Sequence, residues 1–354
     1  MYERLGAHVL PSTFNKMAWK LLVIRGLKIG TVILLLVTVY HLLTGNTRQS
    51  LQRIFVTVEM DDVVEDVLLD DVDYDVKKHK VEPGYVVPNI MHYTWYDTRP
   101  ERLRFRFHHL ISMLSAYKYN KPQAIYLWYE IMPRGPIWRE ALERIPVLHP
   151  IYRKGPAEIF GNQIRTPEHQ SDLVRLETVL RYGGIYTDLD IIVLKSMAPL
   201  RKFNTTLGKE EDDKLCNGVI IGTRQAKFLK IWYKHYQTFD DKVWGYHSVQ
   251  LPAILAEKYP ALVHVEETSL HRPNWRPENR RYLYEQGLFF NYSQNYAVHL
   301  YYRWYNYDHN AEDIKTLDST LGRIFRQVYY GSPDLMGIPK NVSIPTRVDA
   351  LLPG

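Results

Sequence analysis

The sequence predicts an α/β domain with a largely parallel sheet, carried behind one N-terminal membrane-spanning helix. Three observations predict it. From residue 86 onward, short runs rich in Val, Ile, Tyr and Trp alternate with longer stretches that repeat apolar residues at helical spacing. Cap and turn residues punctuate the joins, most clearly at Thr166-Pro167 and Gly183-Gly184. Residues 29–47 hold no Asp, Glu, Lys or Arg.

Residues 1–28 read as a short basic tail, 29–47 as the anchor, 48–84 as an acidic stem and 85–354 as the globular domain. Lys16, Lys20, Arg25 and Lys28 precede the apolar run. Positive charge on that side puts the N-terminus in the cytosol and the rest across the membrane, a type II signal anchor. A cleaved signal peptide is the rival reading, but no small-x-small cleavage site follows the run and the leading segment is long. Between Glu59 and Asp75 lie nine acidic residues and no basic one, a self-repelling tether. Sequons at Asn204, Asn291 and Asn341 fit a lumenal, glycosylated domain. The single cysteine, Cys216, excludes an intrachain disulfide. With 45% apolar residues the chain can bury a core. The net charge of +6 comes without a zinc-finger, RRM or KH signature, so it is assigned to phosphate-bearing small molecules or a membrane surface and not to nucleic acid.

Within the domain, 86–95 reads as a buried first strand with Pro88 near its start, and 105–119 has helical spacing. Residues 124–129 form the next strand, 137–145 a helix, and 147–152 a short strand interrupted by Pro150. Thr166 then caps a helix with Pro167 in its first turn, which runs to Tyr182 and stops at Gly183. Ile185-Tyr186 leads to Asp188 and Asp190, and 191–194 is apolar again. Ligands of such sheets sit beyond the carboxyl ends of the strands.

Asp188 and Asp190 are two apart on an extended segment and so share a face. On a straight strand such positions lie roughly 6.6 Å apart, whereas oxygen ligands approach magnesium to about 2.0–2.1 Å. Either the strand bends there, or one carboxylate binds a metal and the other binds sugar hydroxyls or a coordinated water. Hard oxygen ligands suit Mg²⁺ or Mn²⁺ rather than zinc. Asp172 and Arg175, three apart on the preceding helix, share a face that can hold sugar hydroxyls or merely pair with each other. Gly183-Gly184 lets the chain turn tightly and come close to a ligand.

Ser171-Asp172-x-x-Arg175 followed by Gly183-Gly184-x-Tyr186-x-Asp188-x-Asp190 resembles the D-x-D region of glycosyltransferase family 32. The resemblance extends to Pro88-Asn-Ile-Met-His92-Tyr-Thr-Trp95, to Asn217-Gly-Val-Ile-Ile221 and to Ala297-Val-His299-Leu. It implies a GT-A, Rossmann-like nucleotide-sugar-binding domain, Mn²⁺ or Mg²⁺ as cofactor, and retaining, α-linkage-forming transfer of a hexose or N-acetylhexosamine. A UDP-sugar is the favoured donor and a glycan or glycolipid the acceptor. It implies Golgi residence. It also implies that Asp190 is the direct metal ligand, that Asp188 contacts ribose or sugar, and that Asp172, Arg175, Gly183 and Gly184 hold the donor sugar. A late histidine completing the metal site would be His299.

Trp95, at the end of the first strand, is placed to stack on a nucleotide base or to pack in the core. His247, in Trp244-Gly245-Tyr246-His247-Ser248, is a candidate for the acceptor side. The aromatic run from Tyr301 to Tyr307 offers rings to sugars or to packing. No carboxylate stands out as a nucleophile. Two readings compete with the enzyme: a catalytically silent lumenal binding or chaperone protein, and phosphoryl transfer by a D-x-D aspartate. The first is opposed by the intact Asp and Gly pairs. The second wants its aspartates directly after the first strand, not mid-domain.

Overall fold

The computed structural model describes residues 79–96, 103–305 and 307–338. The anchor 29–47, most of the 48–84 stem and the sequon at Asn341 lie outside the described residues. Among the described residues no helix is long and apolar enough to cross a membrane.

The strands, in chain order, are β1 (Ile90–Trp95), β2 (Ala124–Tyr129), β3 (Leu148–Tyr152), β4 (Glu158–Ile159), β5 (Asn162–Gln163), β6 (Gly184–Thr187), β7 (Ile191–Val193), β8 (Thr205–Glu211), β9 (Lys214–Gly222), β10 (His264–Glu266) and β11 (Ala297–His299). Seven form one sheet in the order β10-β8-β9-β6-β1-β2-β3. All run the same way except β9, which is antiparallel to both β6 and β8. The sheet is thus largely parallel, as the sequence predicts, and reversed at the single strand β9. Pro150 sits inside β3, where the edge position spares the missing N–H.

Alternation along β1 sorts the two faces. Met91, Tyr93 and Trp95 join the core cluster that includes the Phe107–Ser115 helix; Ile90 packs with Val174 and Tyr182 of the Pro167–Tyr182 helix. The first of these helices continues into a π-helical turn, Ala116–Asn120. The second has the expected bounds, with Pro167 in the first turn and Gly183 closing it through an N–H to the Val179 carbonyl at 2.8 Å. Thr166 does not cap it by side chain; its hydroxyl donates to Asp241 Oδ2 at 3.2 Å. Residues 79–87 dock on the domain: Glu82 pairs with buried Arg201, and the Val86 and Val87 N–H groups donate to the Arg201 carbonyl at 3.1 and 3.2 Å.

Candidate active site

β6 ends at Thr187 and the chain turns at once, with the Ile191 N–H donating to the Asp188 carbonyl at 3.0 Å. Of the two solutions that strand spacing left open, the bend is the one this backbone takes. It brings Asp188 and Asp190 to His299, so that one ligand atom from each lies within 4.8 Å of the others. His299 arrives on β11, which pairs antiparallel with β7 and sets His299 opposite Ile191. Its Nε2 lies 3.3 Å from Asp190 Oδ1, while Asp190 Oδ2 accepts from the Tyr302 N–H at 3.0 Å. The Phe107–Ser115 helix braces the turn: Ser112 Oγ donates to the Ile191 carbonyl at 2.6 Å, and Ser115 Oγ accepts from the Val193 N–H at 2.9 Å.

Asp188 is held from the protein side. The Tyr186 hydroxyl donates to its Oδ1 at 2.6 Å, and Arg175 Nη1 stands 2.9 Å from the same oxygen. Arg175 is only 7% exposed, so its charge must be matched in place. Its Nε donates to the Ser171 carbonyl at 3.3 Å and its Nη1 to Asn217 Oδ1 at 3.1 Å. Asn217 Nδ2 in turn donates to Asp172 Oδ1 at 2.7 Å. Asp172 and Arg175, read from the sequence as grips on the donor sugar, therefore do not line the cleft. They stand behind Asp188 and fix it, because a buried guanidinium is stable only when its donors are used inside.

The two carboxylates differ electrostatically. Burial raises the Asp188 carboxyl above its ordinary range, against the opposing pull of Arg175. Burial pushes Asp190 the same way, but the charge and hydrogen bond of His299, with the Tyr302 N–H, outweigh it and hold Asp190 at about 2. Burial lowers and the Asp190 charge raises His299, with a net shift upward. Two carboxylates and an imidazole form a donor set fit for Mn²⁺ or Mg²⁺.

A cleft of about 460 Å³ opens beyond the ends of β1 and β6. Thr94, Trp95, Tyr96, Ser171, Tyr186, Asp188 and Asp190 line one part, and Arg106, His108, His109, Glu168, Leu189, Tyr302 and Arg303 the rest. Trp95 is in this wall. Its ring packs on Phe105 at 5.6 Å and edge-on to His109 at 5.2 Å, and its buried Nε1 has no protein partner.

Gly183 and Gly184 are not in the wall. Both have positive φ, and a Cβ on Gly184 would stand 2.7 Å from Ile90 Cγ1 and 2.8 Å from the Ile90 carbonyl. The pair answers to close packing of β6 on β1 rather than to a ligand. His247 is also elsewhere, buried among Tyr236, Phe239 and Tyr246, where burial drives it down to about 3. Asn204 and Asn291 are exposed. His108 and His109 reach the cleft from the first turn of their helix, and Tyr302 stacks on His108 at 3.5 Å. Apolar periodicity passes over such polar first-turn residues. The sequence signal for Asn217 was its place in Asn217-Gly-Val-Ile-Ile221.

A D-x-D turn with a histidine beside it lies at the strand ends of this mixed α/β sheet, and residues 108–211 match the family model described as the glycosyltransferase sugar-binding region containing a DXD motif. The match falls on the stretch whose motifs resemble glycosyltransferase family 32. Glucan organizing enzyme 1 of Cryptococcus neoformans var. grubii is 34% identical over 235 residues, 61% of this chain and 63% of that protein. The chain thus spans a little under two thirds of that relative's length. Lactosylceramide 4-alpha-galactosyltransferase of Pongo pygmaeus is 26% identical over 99 residues, 28% of this chain and 44% of that protein. Among solved structures, galactosyltransferase LgtC with donor and acceptor sugar analogs aligns at 12% identity and a TM-score of 0.40, over 71% of this chain and 98% of that one.

Proposed function

We propose that this chain is a metal-dependent, retaining glycosyltransferase of GT-A type. It moves a hexose or N-acetylhexosamine from a nucleotide-sugar, a UDP-sugar by preference, to a glycan or glycolipid. The observation that carries this reading is the convergence of Asp188, Asp190 and His299 at the floor of the cleft. Asp190 and His299 would hold Mn²⁺ or Mg²⁺, which supplies charge to stabilise a departing diphosphate. Arg175 and Tyr186 occupy Asp188 from behind, which leaves its remaining lone pairs for the ion or a donor hydroxyl. Trp95, in the wall at the end of β1, is the candidate for contact with the nucleotide end of the donor. Besides the two aspartates, Glu168 is the other carboxylate in the wall among the described residues. In the proposed retaining step the acceptor oxygen bonds to the anomeric carbon on the face that the phosphate leaves. The sugar–phosphate bond breaks, and the acceptor's proton passes to the departing phosphate oxygen.

The basic flank and apolar run at 29–47 support a type II anchor in a Golgi membrane with the domain in the lumen. Exposed Asn204 and Asn291 agree with that side. Expression in secretory cells with and without peptide N-glycosidase tests it. A mass loss on deglycosylation is expected, and an unglycosylated, cytosol-exposed domain contradicts it. The catalytic reading is tested by release of sugar from a panel of UDP- and GDP-sugars with and without Mn²⁺. No release from any donor would instead favour a silent binding protein.

A further inference from the structure

Directly behind the D-x-D turn lies a second cluster of donors, of which His299 alone enters the proposed reaction. Cys216 of β9, His271 after β10 and His299 of β11 place one ligand atom each within 4.8 Å of one another, and all three are buried. Cys216 Sγ is 4.0 Å from His299 Nδ1, and the His271 and His299 rings are 5.6 Å apart. His271 has no exposed surface, and neither of its ring nitrogens has a protein partner. A buried imidazole with both nitrogens idle is unfavourable unless a ligand uses one of them.

The backbone makes room for this cluster. A Cβ on Gly208 would fall 2.5 Å from His271 Cδ2, and one on Gly218 would fall 3.3 Å from Cys216 Sγ and 3.4 Å from His299 Cε1. Both positions are glycine, so the imidazole and the thiol have space around them. A thiol and two imidazoles are a softer donor set than two carboxylates and one imidazole, and they suit Zn²⁺ rather than Mn²⁺ or Mg²⁺. Donor atoms around one tetrahedral zinc sit roughly 3.3–3.8 Å apart, given Zn–S near 2.3 Å and Zn–N near 2.0–2.1 Å. Closing the present cluster onto an ion asks for side-chain shifts of about 1 Å.

We infer that Cys216, His271 and His299 form a zinc site that shares His299 with the D-x-D turn. The sharing has a consequence. His299 presents Nδ1 to Cys216 and Nε2 to Asp190. A neutral imidazole has one lone pair for a metal, and ligation at one nitrogen leaves the proton on the other. Zinc held through Nδ1 therefore turns an N–H toward Asp190 and withdraws His299 from an ion at the carboxylates. This consequence rests on the proposed role of Asp190 and His299; the zinc site itself does not.

The test is metal binding by the full-length purified chain, read independently of turnover. Wild type is expected to hold one Zn²⁺ per chain, and Co²⁺ in its place to give a thiolate-to-cobalt charge-transfer band in the near ultraviolet. Cys216→Ser should abolish that band, and His271→Gln should weaken zinc at least tenfold. Asp190→Asn, which removes the carboxylate site, should keep both the zinc and the band. Absence of the cobalt–thiolate band in folded wild type overturns the inference without need of any variant. So does zinc that is lost in Asp190→Asn but retained in Cys216→Ser and His271→Gln. Failure of sugar transfer by the chain freed of zinc and supplied with Mn²⁺ would count against the proposed function and leave this site standing.

Discussion

Arg175→Met removes the cation behind the D-x-D turn. Its guanidinium is buried and touches Asp188, Asn217 and Ser171. Breaking a buried pair by deleting one partner costs about 3–5 kcal/mol, because the other charge is left uncompensated. The lost bonds to Asn217 and Ser171 place the expectation at the upper end of that range. For a domain of this size that is a fall in melting temperature on the order of 10 °C. In an Asp188→Asn background the nearer carboxylate is already neutral and only Asp172, 3.4 Å from Arg175 Nη2, loses its cation, so the same substitution should cost about 2 kcal/mol less. The assay is chemical and thermal unfolding, followed by circular dichroism, of the wild type, both single variants and the double variant. Effects that add to within about 0.5 kcal/mol would refute the reasoning, since residues that share no interaction add in this way.

Gly184→Ala forces a Cβ against Ile90 at positive φ and should cost about 2–3 kcal/mol in urea unfolding, with no change expected in how the cleft selects a donor. His92 is fully buried, with Nε2 donating to the Gly183 carbonyl at 2.9 Å and Nδ1 accepting from Trp128 Nε1 at 3.3 Å, and burial lowers it to about 4. Because its folded value lies below the ordinary 6.5, the unfolded chain binds more protons between those values. Stability should therefore fall by about 3 kcal/mol as pH drops from 6.5 to 4, and a pH series of unfolding curves checks it. His247→Gln, away from the cleft, should leave transfer kinetics within about twofold of wild type while lowering the melting temperature.

What the sequence told depended on how local the signal was. The Pro167–Tyr182 helix and β2 were legible because Pro167, Gly183 and an unbroken apolar run mark them within a few residues. The mixed direction of the sheet was not, because the reversal at β9 follows from pairing with β6 and β8 and leaves no trace in periodicity. Asp188 and Asp190 were legible as a pair, but the turn that brings them together depends on Ser112 and Ser115 of a distant helix. Arg175 was read through its i,i+3 neighbour Asp172. Its larger partners, Asp188 and Asn217, come from the turn after β6 and from β9, so its positioning role emerged only in three dimensions. His247 stood out in a polar-aromatic run, yet that run folds onto its own rings.

The central claim is that the D-x-D turn with His299 is a metal-dependent donor site. Its most direct test is sugar release from a UDP-sugar panel by wild type and Asp190→Asn, with Mn²⁺ present and after chelation. Metal-dependent release from at least one donor is predicted, falling by on the order of 10²–10³-fold in folded Asp190→Asn. Equal release by Asp190→Asn and wild type, or release indifferent to chelation, would contradict it.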